Sequence, residues 1–141
     1  LIYASHILEH IPWYQTESAL AEWYRVLEFS GDLELWVPDG LKIAAAWVAA
    51  EQDGATDFHA DPWWKFNANQ DPAVWANGRL FSYGDGFGTL GHQNWHLSAF
   101  SERYLKDLLI KVGFREVEVL DRKFVRGNDH GWINLGIKAT K

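Results

Sequence analysis

The sequence contains no cysteine and no methionine. Without cysteine there is neither a disulfide framework nor a thiolate metal site, which fits a reducing compartment such as the cytoplasm. No run of lysine or arginine is present. Thirteen basic residues stand against nineteen acidic ones for a net charge of −6, which argues against nucleic acid as a direct partner. Long apolar runs are missing as well: the longest, Ile43 to Ala50, cannot span a bilayer, and the N-terminus lacks the charged region of a signal peptide. These absences predict a soluble, cytoplasmic chain with no membrane partner. Leu1 lies inside an apolar run with no methionine, turn or cap before it, so a fragment of a longer domain is expected. What is present is enough for one core: 141 residues, 48% hydrophobic and 16% aromatic, are of single-domain size.

Leu1 to Ala4 is a short apolar segment closed by Ser5 and His6, as at the end of a buried strand. Ile7, Leu8 and Ile11 make one helical turn before Pro12 stops it. Thr16 can cap a helix with Glu17 in its first turn, and Leu20, Trp23, Tyr24 and Leu27 follow at core-facing spacing. After Gly31, Leu33, Leu35 and Val37 alternate with Glu34 and Trp36 up to Pro38. Strand, helix and strand with short links predict a parallel crossover and an α/β sheet. Asp39 can cap an alanine-rich helix from Leu41 to about Glu51.

From Gln52 to Gly91 the periodicity dissolves among Asp, Asn, Gly, Pro and aromatics. Residues 52–100 therefore read as an aromatic and glycine-rich insertion or lid holding short helical pieces. Regularity returns where Ser101 caps a helix whose stripe is Leu105, Leu108, Leu109 and Val112, with Phe100 as staple and Gly113 as stop. Val117 and Val119, then Ile133, Leu135, Ile137 and Ala139, mark two further strands. The link from Arg122 to Gly131 has no helical pattern, so these strands should pair antiparallel.

The stretches IYASHILEH, ALAEWYRVLEFSGDLELWVPD and SERYLKDLLIKVGFREVEV, in this order, resemble the C-terminal half of a class I S-adenosylmethionine-dependent methyltransferase. The resemblance covers nearly the whole chain. It implies a partial Rossmann-like methyltransferase fold, residues 1–141 as a single partial domain, in which parallel strands are followed by a C-terminal antiparallel strand pair and flanked by helices. It also implies S-adenosylmethionine as cofactor and methyl transfer to a small-molecule or sugar-like acceptor. The family's Gly-x-Gly-x-Gly strand end and following acidic residue are not found. Gly84-Asp85-Gly86-Phe87-Gly88 matches by letter alone, since Ser82-Tyr83 is a poor buried strand end, and it reads as a mobile glycine loop. Phe29-Ser30-Gly31-Asp32 also replaces the family's Pro-Gly-Gly-type turn.

His6-Ile7-Leu8-Glu9-His10 spells H-x-x-E-H, a zinc motif when carried on a long helix. Pro12 truncates any helix here and no downstream helix offers an acidic third ligand, so no metal is assigned. His10 then reads as a packed or capping histidine.

In open parallel sheets ligands lie beyond the carboxyl ends of the strands, where Ala4, Ser5, His6, Pro38 and Asp39 fall. By resemblance Ala4, Ser5 and His6 take a cofactor- or substrate-facing role, with the cofactor the first assignment; Pro38 and Asp39, at the end of the next strand, are candidate substrate contacts. Ser5 serves equally as a turn residue, and Asp39 as a helix cap. In Gly91-His92-Gln93-Asn94-Trp95-His96, the segment that approaches the acceptor in similar methyltransferases, His92 and His96 are the candidate general bases and Asn94 and Trp95 candidate acceptor contacts. Solvated histidines beside a packed Trp95 are an equal alternative. The rival function is a non-catalytic module that stacks a carbohydrate on the loop from Phe58 to Tyr83, or binds a partner protein. The outer edge of the first strand is a further candidate surface, for self-association.

Overall fold

The alternation in the sequence sets the sheet of the computed structural model, which describes all 141 residues. Strand β1 (Ile2–Ser5) runs parallel to β2 (Asp32–Pro38), with Ile2 opposite Leu33 and Ser5 opposite Trp36. Helix α1 (Thr16–Val26) lies between them in sequence and lays Leu20, Trp23 and Tyr24 against the main core. Helix α2 (Gly40–Asp53) follows β2, then α3 (Pro72–Phe81), α4 (Glu102–Val112), β3 (Arg115–Leu120) and β4 (Asn134–Thr140). The result is a mixed α/β fold with four helices and one four-stranded sheet in the order β1-β2-β4-β3.

As the sequence predicts, β3 and β4 pair antiparallel. The last strand also enters between β2 and β3, antiparallel to both. Register explains why it fits: Leu33 faces Ala139, Leu35 faces Ile137 and Val37 faces Leu135, so all six side chains share the buried face. Opposite that face, Trp36 lies against the backbone of Gly136. Strand β1 occupies one outer position and has a strand partner on one side only. No helix is long and apolar enough to cross a membrane.

Most caps fall where expected. Asp39 Oδ1 accepts from Leu41 and Lys42 N–H at 3.1 Å each, Ser101 Oγ accepts from Tyr104 N–H, and Gly113 ends α4 in the left-handed region. Thr16 departs from expectation. It is the first residue of α1 and buried, and its hydroxyl donates to the Trp13 carbonyl at 2.9 Å, leaving Gln15 at the cap position. Val119 also departs: beyond a bulge between Arg115 and Glu118, with Glu116 at φ 50°, it pairs with Ile137, but at the sheet edge it stays 44% exposed.

Residues 52–100 hold a 3-10 turn at Asp57–Ala60 and helix α3. They close a second core in which Ile43 of α2 packs with Phe58, Trp75, Ala76 and Ile133. Gly84 to Gly88 follow the end of a helix and not a buried strand, and Phe87 is 93% exposed. That placement agrees with a glycine loop and not with a phosphate-cradling fingerprint.

Candidate functional site

The site forms where chain ends converge. Beyond the carboxyl end of β1 the backbone turns at His6 (φ 54°), whose N–H donates to Trp36 O at 2.9 Å. A 3-10 turn, Leu8–His10, follows and buries Leu8 and Glu9. A distant segment is then laid alongside it. Leu97 and Ser98 N–H both donate to Glu9 O, at 2.7 and 3.1 Å; Trp13 N–H donates to Leu97 O at 3.2 Å; and Ser98 Oγ donates to Ile11 O. A single parallel bridge between Asp39 and Phe100 anchors the far end of that segment to β2. Because β4 starts opposite Pro38, the turn that carries His130 and Trp132 arrives at the same end of the sheet.

Between these pieces lies a cavity of about 910 Å³. Its floor is titratable: His6, Glu9, His10, His96 and His130 all line it. Its wall is aromatic and cationic, with Arg79 4.9 Å from the Trp63 ring centroid and Tyr83 beside them; Lys65, outside the lining, places Nζ 3.5 Å from the Tyr83 ring centroid. Arg79 is held by the buried carboxylate of Asp61, which also accepts from Trp75 Nε1 at 2.9 Å.

Inside the cavity His6 Nδ1 lies 3.1 Å from Glu9 Oε1, and the His6 ring stacks on His130 with centroids 3.9 Å apart. His10 Nδ1 is 3.2 Å from Trp95 O, a contact that requires the proton on Nδ1 and leaves the Nε2 lone pair free. The His10 and His96 rings meet edge to face at 4.9 Å. Burial pushes His96 below the ordinary histidine value, opposed in part by the charge of Glu9. Burial, helped by the neighbouring His6 and Arg79, pushes His130 down to about 4. Both imidazoles are therefore neutral at pH 7 and present a lone pair.

No family model matches the chain, and no curated protein is similar to it. Of the residues singled out from sequence, His6, His96 and Asn94 line the cavity, with Asn94 Nδ2 donating to Gly84 O at 2.9 Å. Ala4 is buried in the core beneath the strand, and Ser5 lies beside Gly127 outside the cavity lining. His92 is not brought together with His96 in the main cavity. It lines a second hollow of about 480 Å³ with Trp95, and its Nδ1 accepts from Asn94 N–H at 3.2 Å. Pro38 is buried at the β2 end, and Asp39 is occupied as the cap of α2.

Tyr83 lies at the end of the aromatic loop that the sequence offers for stacking, whereas Glu9, Asp61, Arg79 and His130 line the cavity without being among the sequence-predicted site residues. Only Glu9 carried a local signal, inside the H-x-x-E-H spelling; the others reach the site through tertiary contacts alone.

The histidine shifts carry a stability consequence. The unfolded chain takes up a proton on His130 near its ordinary pKa of 6.5, which the folded chain refuses until about 4. Stability is thus full above pH 6.5 and falls as pH drops through that window. In buffer with a chelator, the urea midpoint at pH 5 should lie below that at pH 7 by the equivalent of about 1 kcal/mol, allowing for the partial exposure of the ring. His130→Asn should remove most of the difference. Equal midpoints at the two pH values in the parent chain would contradict the buried placement of His130.

Proposed function

We propose that the chain is the acceptor-side half of an S-adenosylmethionine-dependent methyltransferase of Rossmann-like fold, acting on a small hydroxylated or sugar-like molecule. The observation that carries this is positional. Strand, helix, parallel strand, later helix and antiparallel strand pair follow in the order the family resemblance implies, and the large cavity opens beyond the carboxyl ends of the two parallel strands.

The cofactor fits this chain only in part. His6 faces the cavity, but Ala4 is turned into the core and Ser5 lies outside the lining, and residues 1–141 contain no strand that ends in a glycine fingerprint. A cradle for S-adenosylmethionine is therefore not complete within these residues. The chain's own groups suit the acceptor. Arg79 and Asn94 offer N–H donors to hydroxyl oxygens, the Trp63 and Tyr83 rings give a sugar-like face something to pack on, and neutral His96 presents a lone pair toward an acceptor hydroxyl. Alignment and exclusion of water are what such a transfer needs most from a protein.

A carbohydrate-stacking module without catalysis has less support. Phe58 and Trp75 are consumed in the second core, and Trp64 packs against them instead of presenting a flat exposed platform.

The test has two arms. The encoded full-length protein should bind labelled S-adenosylmethionine in equilibrium dialysis with a Kd in the micromolar range and pass the label to a hydroxylated small molecule, a transfer cut at least about tenfold by Asn94→Ala. No binding up to about 1 mM would overturn the methyltransferase reading. Residues 1–141 alone should give no micromolar calorimetric titration; such binding would show that this segment holds the cofactor after all.

A further inference from the structure

We propose that Glu9, His10 and His96 form a binding site for one divalent transition-metal ion, with zinc(II) the best match, at the floor of the cavity. One donor atom from each of these residues lies within 4.8 Å of the other two. A tetrahedral zinc ion with ligands at about 2.0–2.1 Å holds its donors about 3.3 Å apart, so closing the site asks each donor to move by about 1 Å.

Three features distinguish this trio from a chance meeting of polar side chains. The first is the backbone. His10 and His96 are 86 positions apart in sequence, yet the two N–H bonds from Leu97 and Ser98 to Glu9 O pin their segments together. The second is orientation. With its Nδ1 proton committed to Trp95 O, His10 keeps Nε2 as a free lone pair, the arrangement in which a metal-ligating histidine donates through its other nitrogen to a backbone carbonyl. Glu9 is oriented likewise, by His6 Nδ1 on Oε1. The third is an unmet demand. Glu9 is only 1% exposed, and its Oε2 has no hydrogen-bond partner. A buried carboxylate oxygen without a donor is costly, and a cation meets that demand directly.

The donor set selects the class of ion. Two imidazoles and one carboxylate, with no thiolate anywhere in the chain, suit zinc or another first-row divalent ion better than calcium or magnesium, which prefer all-oxygen shells. Three protein ligands leave a fourth position, and all three residues line the cavity. An open position marks a site that takes a substrate oxygen or water, not one that only braces the fold. With the ion in place, His96 acts on an oxygen ligand through the metal and not directly.

The H-x-x-E-H spelling is thus used in an unusual way. On a long helix its two histidines would ligate and its glutamate would serve as base. Here the chain leaves the strand at His6 and makes a single 3-10 turn, so adjacent Glu9 and His10 face the site together, and the third ligand arrives from the loop before α4. His6 is a positioning residue that holds Glu9. None of this depends on the methyl-transfer reading, because the ion is detected by binding and not by activity.

The experiment is titration of the chelator-stripped full chain with zinc(II), by calorimetry and by competition with a chromophoric chelator, followed by cobalt(II) substitution. One ion per chain should bind with a Kd of about 1 µM or tighter. Cobalt(II) should bind with the same stoichiometry and show visible ligand-field bands. Glu9→Gln, nearly isosteric, and His96→Ala should each weaken binding at least about 100-fold and abolish the bands, while His6→Ala weakens it about tenfold. His59→Ala, on the exposed 3-10 turn before α3, serves as the control and should change nothing. Far-UV circular dichroism confirms that each variant is folded; should His96→Ala fail this check, His10→Gln replaces it. A folded parent chain that binds no zinc below about 100 µM, or a loss of less than about tenfold in folded Glu9→Gln, overturns the proposal.

Discussion

Replacing Asp61 with alanine should cost the protein about 3–5 kcal/mol of stability. Asp61 is 3% exposed, and its carboxylate accepts from both Nε and Nη2 of Arg79 and from the indole N–H of Trp75. Truncation strands three donors at once. The guanidinium suffers most, because its side chain is only 11% exposed and no other carboxylate is bonded to it. Trp75, fully buried at the heart of the second core, would keep its packing but lose the partner for its polar edge. The damage should reach the cavity, since Arg79 and Trp63 form part of its wall and are held over one another. Urea unfolding of Asp61→Ala, Arg79→Ala and the double variant checks this as a cycle. The double variant should lose clearly less than the sum of the singles, because the second truncation removes the charge that the first left unpaired. Additive losses, or a single-variant loss below about 1 kcal/mol, would mean that the pair is solvated and does not hold the second core to the cavity.

That network also shows where sequence reading stops. The sheet was legible because its face is periodic: Leu33, Leu35 and Val37 on one strand and Leu135, Ile137 and Ala139 on another alternate strictly, and all six are buried together. Helix ends were legible where a single side chain decides them, as at Asp39, Ser101 and Gly113. Helix α3 was not, although Asp71 followed by Pro72 is a cap with proline at the first helical position. Its apolar stripe is interrupted by Asn77 and Gly78, and Gly78 is required there: a Cβ would lie 1.9 Å from the Trp63 ring. The segment from 52 to 100 thus lacks periodicity because aromatic contacts, not a repeated face, hold it.

The site was legible to the extent that it lies at strand ends. His6 was found by topology, and His96 by its place in a polar cluster ahead of a helix. That His96 belongs with Glu9 and His10, and not with His92 four residues away, depends on hydrogen bonds across more than eighty positions. No local pattern encodes such a pairing. The same holds for His130, which sits in a link without periodicity and reaches the cavity because β4 inserts beside β2.

The insertion of β4 rests on one small residue, and Gly136→Val should therefore be the most damaging single change in the sheet, at about 3 kcal/mol or more. Valine is a good strand former, so local propensity alone predicts a gain. Packing reverses the sign. A Cβ at position 136 would stand 2.3 Å from one carbon of the Trp36 ring and within 2.6 Å of two others, and Trp36 is 1% exposed with no room to swing away. Either the indole leaves its place, breaking its bond from Nε1 to Glu34 Oε1 at 3.1 Å, or β4 shifts against β2. A shift would disturb the three pairs that close the buried face, and it would move the turn that carries His130 away from His6. Urea unfolding measures the loss. Trp36→Ala in the Gly136→Val background should recover part of it, because the valine then fills space that the indole has vacated, whereas Trp36→Ala alone is expected to be destabilising. A Gly136→Val protein within about 1 kcal/mol of the parent would show that Trp36 is not clamped against β4.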